Sequence, residues 1–130
     1  MIIYRVEITL RSEIEADWLQ WMREVHIPDV LRTRCFVECR TYKLMDAGAT
    51  EPVYVMQYLC RSLKDYERYR DNFAPRLQKE HAELFAGGFR GSRQLLEEVW
   101  PAYQAGGLIT RVRAHGLLFA IRGRSFLKDH

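Results

Sequence analysis

The sequence predicts an α+β fold with the element order β-α-β-β-α-β, the ferredoxin-like arrangement, over residues 1–100. Three observations predict it. Residues 2–10 alternate with the two-residue period of a strand. Two later stretches, one from Ser12 to near His26 and one from Ser62 to Gly87, carry apolar residues at helical spacing. Three further runs of strand character, 34–45, 53–60 and 89–99, fall between and after them. A chain of this order lays both helices on one face of a four-stranded antiparallel sheet. The opposite face is left to solvent or to another molecule.

In the first strand Ile2, Tyr4, Val6, Ile8 and Leu10 form the apolar set, so Arg5 and Glu7 belong on the face away from the helices. Ser12-Glu13-Ile14-Glu15 has the form of a capping box. Ile14, Trp18, Trp21, Met22 and Val25 then mark the buried stripe of the first helix. Pro28 disfavours helical geometry at Ile27, which predicts an end near His26 and at most a short turn over Asp29-Val30-Leu31. In the second strand one alternating set holds Glu38 and Arg40 and the other Val37, Cys39 and Thr41. A turn with Asp46, Gly48 and Pro52 leads into 53–60, where both sets are largely apolar, as in a strand covered on both faces.

Ser62 opens the second helix, with Asp65 three positions on. Leu63, Tyr66, Tyr69 and Phe73 form its stripe until Pro75, which predicts a kink or break with Asn72 capping the second piece. Leu77, His81, Leu84 and Phe85 continue the apolar face up to Gly87-Gly88. Leu95, Leu96 and Val99 are the expected anchors of the last strand.

Composition narrows the function classes. The whole chain of 130 residues carries +3, but residues 1–100 hold 15 Lys+Arg against 16 Asp+Glu, a net −1. The excess sits in a basic C-terminal extension, 101–130, for which a β-hairpin around His115-Gly116 and disorder are both open. A nucleic-acid surface needs a basic face on the folded part, so no nucleic-acid partner is expected. Arg90-Gly91-Ser92-Arg93-Gln94-Leu95-Leu96 also lacks the stacking aromatics of an RNA-binding sheet. Cys35, Cys39 and Cys60 are odd in number and lack CxxC spacing, which fits free thiols in a reducing compartment. No uncharged run reaches the roughly 18 apolar residues of a membrane span, and Met1–Glu7 does not have the form of a signal peptide. The expected location is cytoplasmic, with no membrane partner.

Certain residues also carry a resemblance. They are the opening Met1-Ile2-Ile3-Tyr4, the run Trp18-Leu19-Gln20-Trp21-Met22 with Glu24–Leu31, the Gln57-Tyr58 strand, Asp65-Tyr66-Glu67-Arg68-Tyr69, Ala74-Pro75-Arg76-Leu77 and Glu80-His81. Together, over residues 1–99, they resemble the DUF4286 family of small bacterial proteins. The resemblance implies the shape of dimeric α+β-barrel proteins, whose two sheets face each other. That superfamily includes cofactor-independent monooxygenases, isomerases and haem-handling enzymes, so shape alone fixes no chemistry.

The residues able to carry chemistry are few. His26, at a helix end, and His81, on an apolar stripe, are the candidate acid–base groups. Against that stand a helix-end hydrogen bond for the first and ordinary core packing for the second. The two can converge, because both helices share one face; Glu80 or Glu83 would complete a metal set, but no HExxH-like motif supports one, and no metal or cofactor is expected. Arg5, Glu7, Arg40, Gln57 and Tyr58 are the candidate ligand-binding residues, with Glu38 and Arg93 beside them on the face a second subunit would cover. The bland reading of these charges is a set of cross-strand ion pairs on a wet surface. The sequence therefore predicts a homodimer joined through the sheet face that binds a small molecule or serves as an interaction module. The alternative is a cofactor-independent enzyme acting on a small aromatic or carbonyl compound.

Overall fold

The structure, a computed structural model, describes residues 1–106, of which Met1–Glu98 form one compact unit. The hairpin expected around His115-Gly116 lies outside the described residues. Strands β1 (Ile2–Leu10), β2 (Glu38–Lys43), β3 (Val53–Cys60) and β4 (Phe89–Glu97) form one four-stranded antiparallel sheet in the order β2-β3-β1-β4. This is the ferredoxin-like topology. The alternation in β1 sets its faces as expected: Tyr4, Ile8 and Leu10 are buried against the helices, while Arg5 and Glu7 lie on the other side. No helix among the described residues is long and apolar enough to cross a membrane.

The first helical connection departs from the expected pattern. A 3₁₀ turn (Ser12–Ile14) leads into α1 (Glu15–Trp21), then a π turn (Met22–His26), then α2 (Ile27–Arg32). The chain thus stays helical through Pro28, where an end was expected. An α-helical Pro28 would clash with the carbonyl four residues back. The π turn, closed by the Ile27 N–H donating to the Met22 carbonyl, opens the backbone at that point. It also turns Val25 outward, to 38% exposure, and His26 inward. The capping box does not form. Ser12 Oγ meets Glu13 instead, and Glu15 reaches across to accept hydrogen bonds from Tyr54 Oη at 2.7 Å and Lys43 Nζ at 3.1 Å. Beyond α2 the chain reverses through Arg34 (φ +64°), and Arg68 donates to the carbonyls of Thr33 and Arg34 at 3.2 and 3.1 Å. That reversal uses up residues 34–37, so β2 begins later than expected.

The second connection is α3 (Leu63–Asn72) followed by α4 (Ala74–Leu84), broken where Pro75 predicts a break. Phe73, not Asn72, stands at the start of α4, and no side chain caps it. Ser62 does cap α3: its Oγ accepts from the Asp65 N–H at 3.2 Å. Ser62→Ala should therefore cost about 1 kcal/mol, seen as a lower urea midpoint with unchanged slope. An unchanged midpoint would mean that water replaces the cap.

The core lies between these helices and the sheet. Trp18, Leu10, Met56, Leu77, Cys35 and Cys60 are all but fully enclosed, and each large apolar side chain so placed stabilises the fold by about 1.5–3 kcal/mol. The last strand is different. Leu95, Leu96 and Val99 are exposed by 44%, 41% and 79%, so they do not anchor it. Phe89 packs against the core in their place, because β4 is an edge strand and the helices reach only its beginning.

Candidate functional site

A cavity of about 100 Å³ lies between the helices and the sheet, walled by β1, β3, β4, the π turn and both pieces of the second connection. At about 30 Å³ per water it has room for roughly three. It has a histidine end and a phenol end.

At the histidine end Trp18 donates its indole N–H to His81 Nε2 at 2.8 Å. The accepting nitrogen cannot carry a hydrogen, so the neutral His81 ring bears its proton on Nδ1. The π turn brings His26 to within 5.8 Å of His81, ring centre to ring centre. Trp21 stacks on His26 at 5.0 Å, and Phe89 meets His81 edge-on at 4.4 Å. Both rings are buried. Burial pushes each down to about 4; at His81 the neighbouring His26 and Arg93 add to this, while Asp29 opposes it weakly at His26. Both are thus neutral at pH 7. The buried Nδ1 of His26 has no hydrogen-bond partner among the described residues. Such a group costs stability unless something fills its need.

At the phenol end Tyr4 packs against Phe36, Tyr58, Tyr66 and Tyr69 at ring distances of 5.3–5.9 Å. Gln78 Nε2 approaches the Tyr4 hydroxyl at 3.5 Å, at the long limit for a hydrogen bond. Burial raises the pKa of Tyr4, Tyr58 and Tyr69, though the Arg93 charge partly offsets this at Tyr4 and Tyr69. These phenols therefore stay protonated and can donate.

The structure places the sequence-derived candidates in two separate groups. His26, His81 and Tyr58 line the cavity. Arg5, Glu7, Arg40 and Gln57 lie on the opposite sheet face, so Tyr58 does not join them. The register puts Arg40, Gln57, Arg5 and Gln94 on one rung across all four strands. There Arg5 donates to Gln94 Oε1 at 2.7 Å and to Glu7 Oε1 at 3.0 Å, and Arg40 donates to Glu38 Oε2 at 2.9 Å. Arg93 leaves that expected group. It pairs with Val6, whose side chain faces the helices, and so it borders the cavity. One residue of parity in β4 decides this. Sequence reasoning missed Gln78 and Tyr4 as wall residues. Gln78 stands three positions before His81 on one helix face, a spacing that would have pointed to it.

Glu80 and Glu83 are exposed, whereas both histidines are buried. Among the described residues no group of three or more His, Cys, Asp or Glu side chains is placed to hold a metal ion. The cysteines are free; burial pushes the Cys39 thiol up to about 11, which leaves it a poor nucleophile at neutral pH.

The family model for a domain of unknown function, DUF4286, matches residues 1–99. No curated protein matches the chain. Among solved structures, a dimeric ferredoxin-like protein from an uncultured marine organism is 12% identical, with a TM-score of 0.63 over 80% of this chain and 100% of that one. HapK from Hahella chejuensis is 11% identical, with a TM-score of 0.61 over 82% and 100%. SnoaB, a cofactor-independent oxygenase from Streptomyces nogalater, is 12% identical, with a TM-score of 0.56 over 79% and 98%. At these identities the likeness is one of fold.

Proposed function

Because the chain belongs to the DUF4286 family, a domain of unknown function whose name assigns no activity, we propose from the site itself that it is a small-molecule binding protein acting as a homodimer. The carrying observation is the convergence, in one cavity, of His26 with an unpartnered buried nitrogen, His81 in a fixed tautomer, and the Arg93 guanidinium. A concavity in which polar groups converge beside apolar side chains, here Ile8, Met22 and Phe89, has the elements of a ligand site.

The open sheet face supports the dimer. Leu59, Ile3 and Leu96 form an apolar stretch, with Glu38 at its outer end, beside the Arg40-Gln57-Arg5-Gln94 rung. The charges of that second rung are already matched within the chain, by Glu38 and Glu7. A second copy can then cover the face without stranding an unpaired charge. That the first of the similar structures is described as dimeric agrees with this.

The second reading, a cofactor-independent enzyme, draws on the oxygenase among the similar structures and on a histidine set beside an arginine. A general base works best with a pKa near the working pH. Rings pushed down to about 4 are weak bases. That favours binding over proton abstraction.

Native mass spectrometry of the full-length protein is the test. The expected result is a dimer that carries additional small-molecule mass, lost in His26→Phe. A monomer at micromolar concentration would overturn the dimer. A dimer whose cavity takes up no small molecule would overturn the binding role.

A further inference from the structure

The cavity wall carries a single formal charge. Arg93 borders it, and none of the lining residues is Asp or Glu. Of the four arginines on the sheet, Arg5, Arg40 and Arg90 each face a carboxylate; Arg93 has no carboxylate partner among the described residues. Its field reaches inward, since it acts on Tyr4, Tyr69 and His81. The groups around it can donate: the Tyr4 hydroxyl, whose oxygen accepts from Gln78 and Arg93 and whose own proton is left to give, the Gln78 amide and the His81 ring N–H. Elsewhere the wall is mixed: Tyr58, Tyr69 and Ser92 are polar, while Ile8, Met22 and Phe89 form an apolar stretch.

These features define a complement. A guanidinium whose charge meets no carboxylate among the described residues, set among neutral groups able to donate, calls for an acceptor with negative charge. The guanidinium fork fits a planar carboxylate with two parallel hydrogen bonds. One fixed cation, with both imidazoles neutral, matches a monoanion better than a dianion. A cavity of about 100 Å³ admits only a few non-hydrogen atoms. Resting on the binding role proposed above, we infer that the ligand is a short-chain monocarboxylate, its oxygens on Arg93 and its carbon end toward Met22 and Phe89.

The test uses isobutyrate and isobutyramide, which share a shape and differ in charge. Each is titrated into the full-length protein at pH 7 while the Trp18 indole N–H signal is followed by NMR. Isobutyrate should shift that signal saturably, and isobutyramide should bind at least tenfold more weakly. Arg93→Gln should abolish the difference, with only a small change in the urea midpoint, because Arg93 is solvent-exposed and glutamine can still donate to Tyr4. Arg76→Gln, which removes an exposed cation elsewhere on α4, should leave the difference intact. Equal binding of acid and amide, or undiminished selectivity in Arg93→Gln, would overturn the choice of ligand while leaving the cavity as a binding site. No shift from either compound would also overturn the choice of ligand, while the binding role falls only if native mass spectrometry finds no small molecule on the protein.

Discussion

Lowering the pH from 7 to 5 should destabilise the folded chain by about 2 kcal/mol for each of His26 and His81. The sign follows from burial. In the unfolded chain an imidazole binds its proton at about pH 6.5; in the fold both rings are pushed down to about 4. Between these values the unfolded state holds more protons, so stability rises with pH. It is fully present above about pH 6.5 and is lost progressively toward pH 4. Two rings 5.8 Å apart do not titrate independently, so their joint contribution at pH 5 falls within about 2–4 kcal/mol. That is a large share of the 5–15 kcal/mol typical of a domain. The carboxylates held low by their partners, such as Glu15 by Tyr54 and Lys43, act below this window. Urea denaturation followed by tryptophan fluorescence at pH 7, 6 and 5 measures the effect. A double variant, His26→Gln with His81→Gln, should show a nearly flat profile over the same range. A flat profile in the unaltered protein would mean that the two rings are solvated.

Trp18→Phe should cost about 2–4 kcal/mol. Trp18 is fully enclosed, and its indole N–H is the donor to His81 Nε2. Phenylalanine removes that donor and leaves a buried acceptor unpaired, for about 1–3 kcal/mol. It also leaves a void where the larger ring stood. Trp21→Phe is the matched comparison: Trp21 is half-buried and its indole makes no hydrogen bond among the described residues, so its loss should be about 1 kcal/mol or less. Nitrogen chemical shifts of His81 separate the two parts of the Trp18 effect. The unaltered ring should show a single tautomer protonated at Nδ1, and in Trp18→Phe that preference should disappear. A stability loss without a change of tautomer would assign the whole effect to packing.

Much of the fold was legible because it depends on short-range alternation. The five apolar positions of β1 fix which face meets the helices, and that also placed Arg5 and Glu7 correctly. The break at Pro75 follows from a missing N–H and needs no tertiary information. What failed depended on partners distant in sequence. Glu15 left its capping position because Tyr54 and Lys43 offered better donors 39 and 28 residues away. Arg93 changed face because its parity is set by pairing with β1. For the site, His26 and His81 were recognisable as residues, and their convergence follows from two helices on one face. The hydrogen bond from Trp18 that sets the proton on His81 spans 63 residues and has no local signature.

The wide turn at Met22–His26 has a consequence for how this segment is wound. The buried residues of the first connection, Trp18, Met22, His26 and Val30, recur every four positions. On a regular helix of 3.6 residues per turn, a step of four overshoots a full rotation by about 40°. Three such steps would carry Val30 roughly a third of the way around the axis from Trp18. The π turn takes up this excess, so a strict four-residue repeat stays on one line facing the sheet. Angular phase, more than hydrophobicity, thus decides that position 26 and not position 25 looks into the cavity. A one-residue deletion in this turn would reset the phase of everything after it.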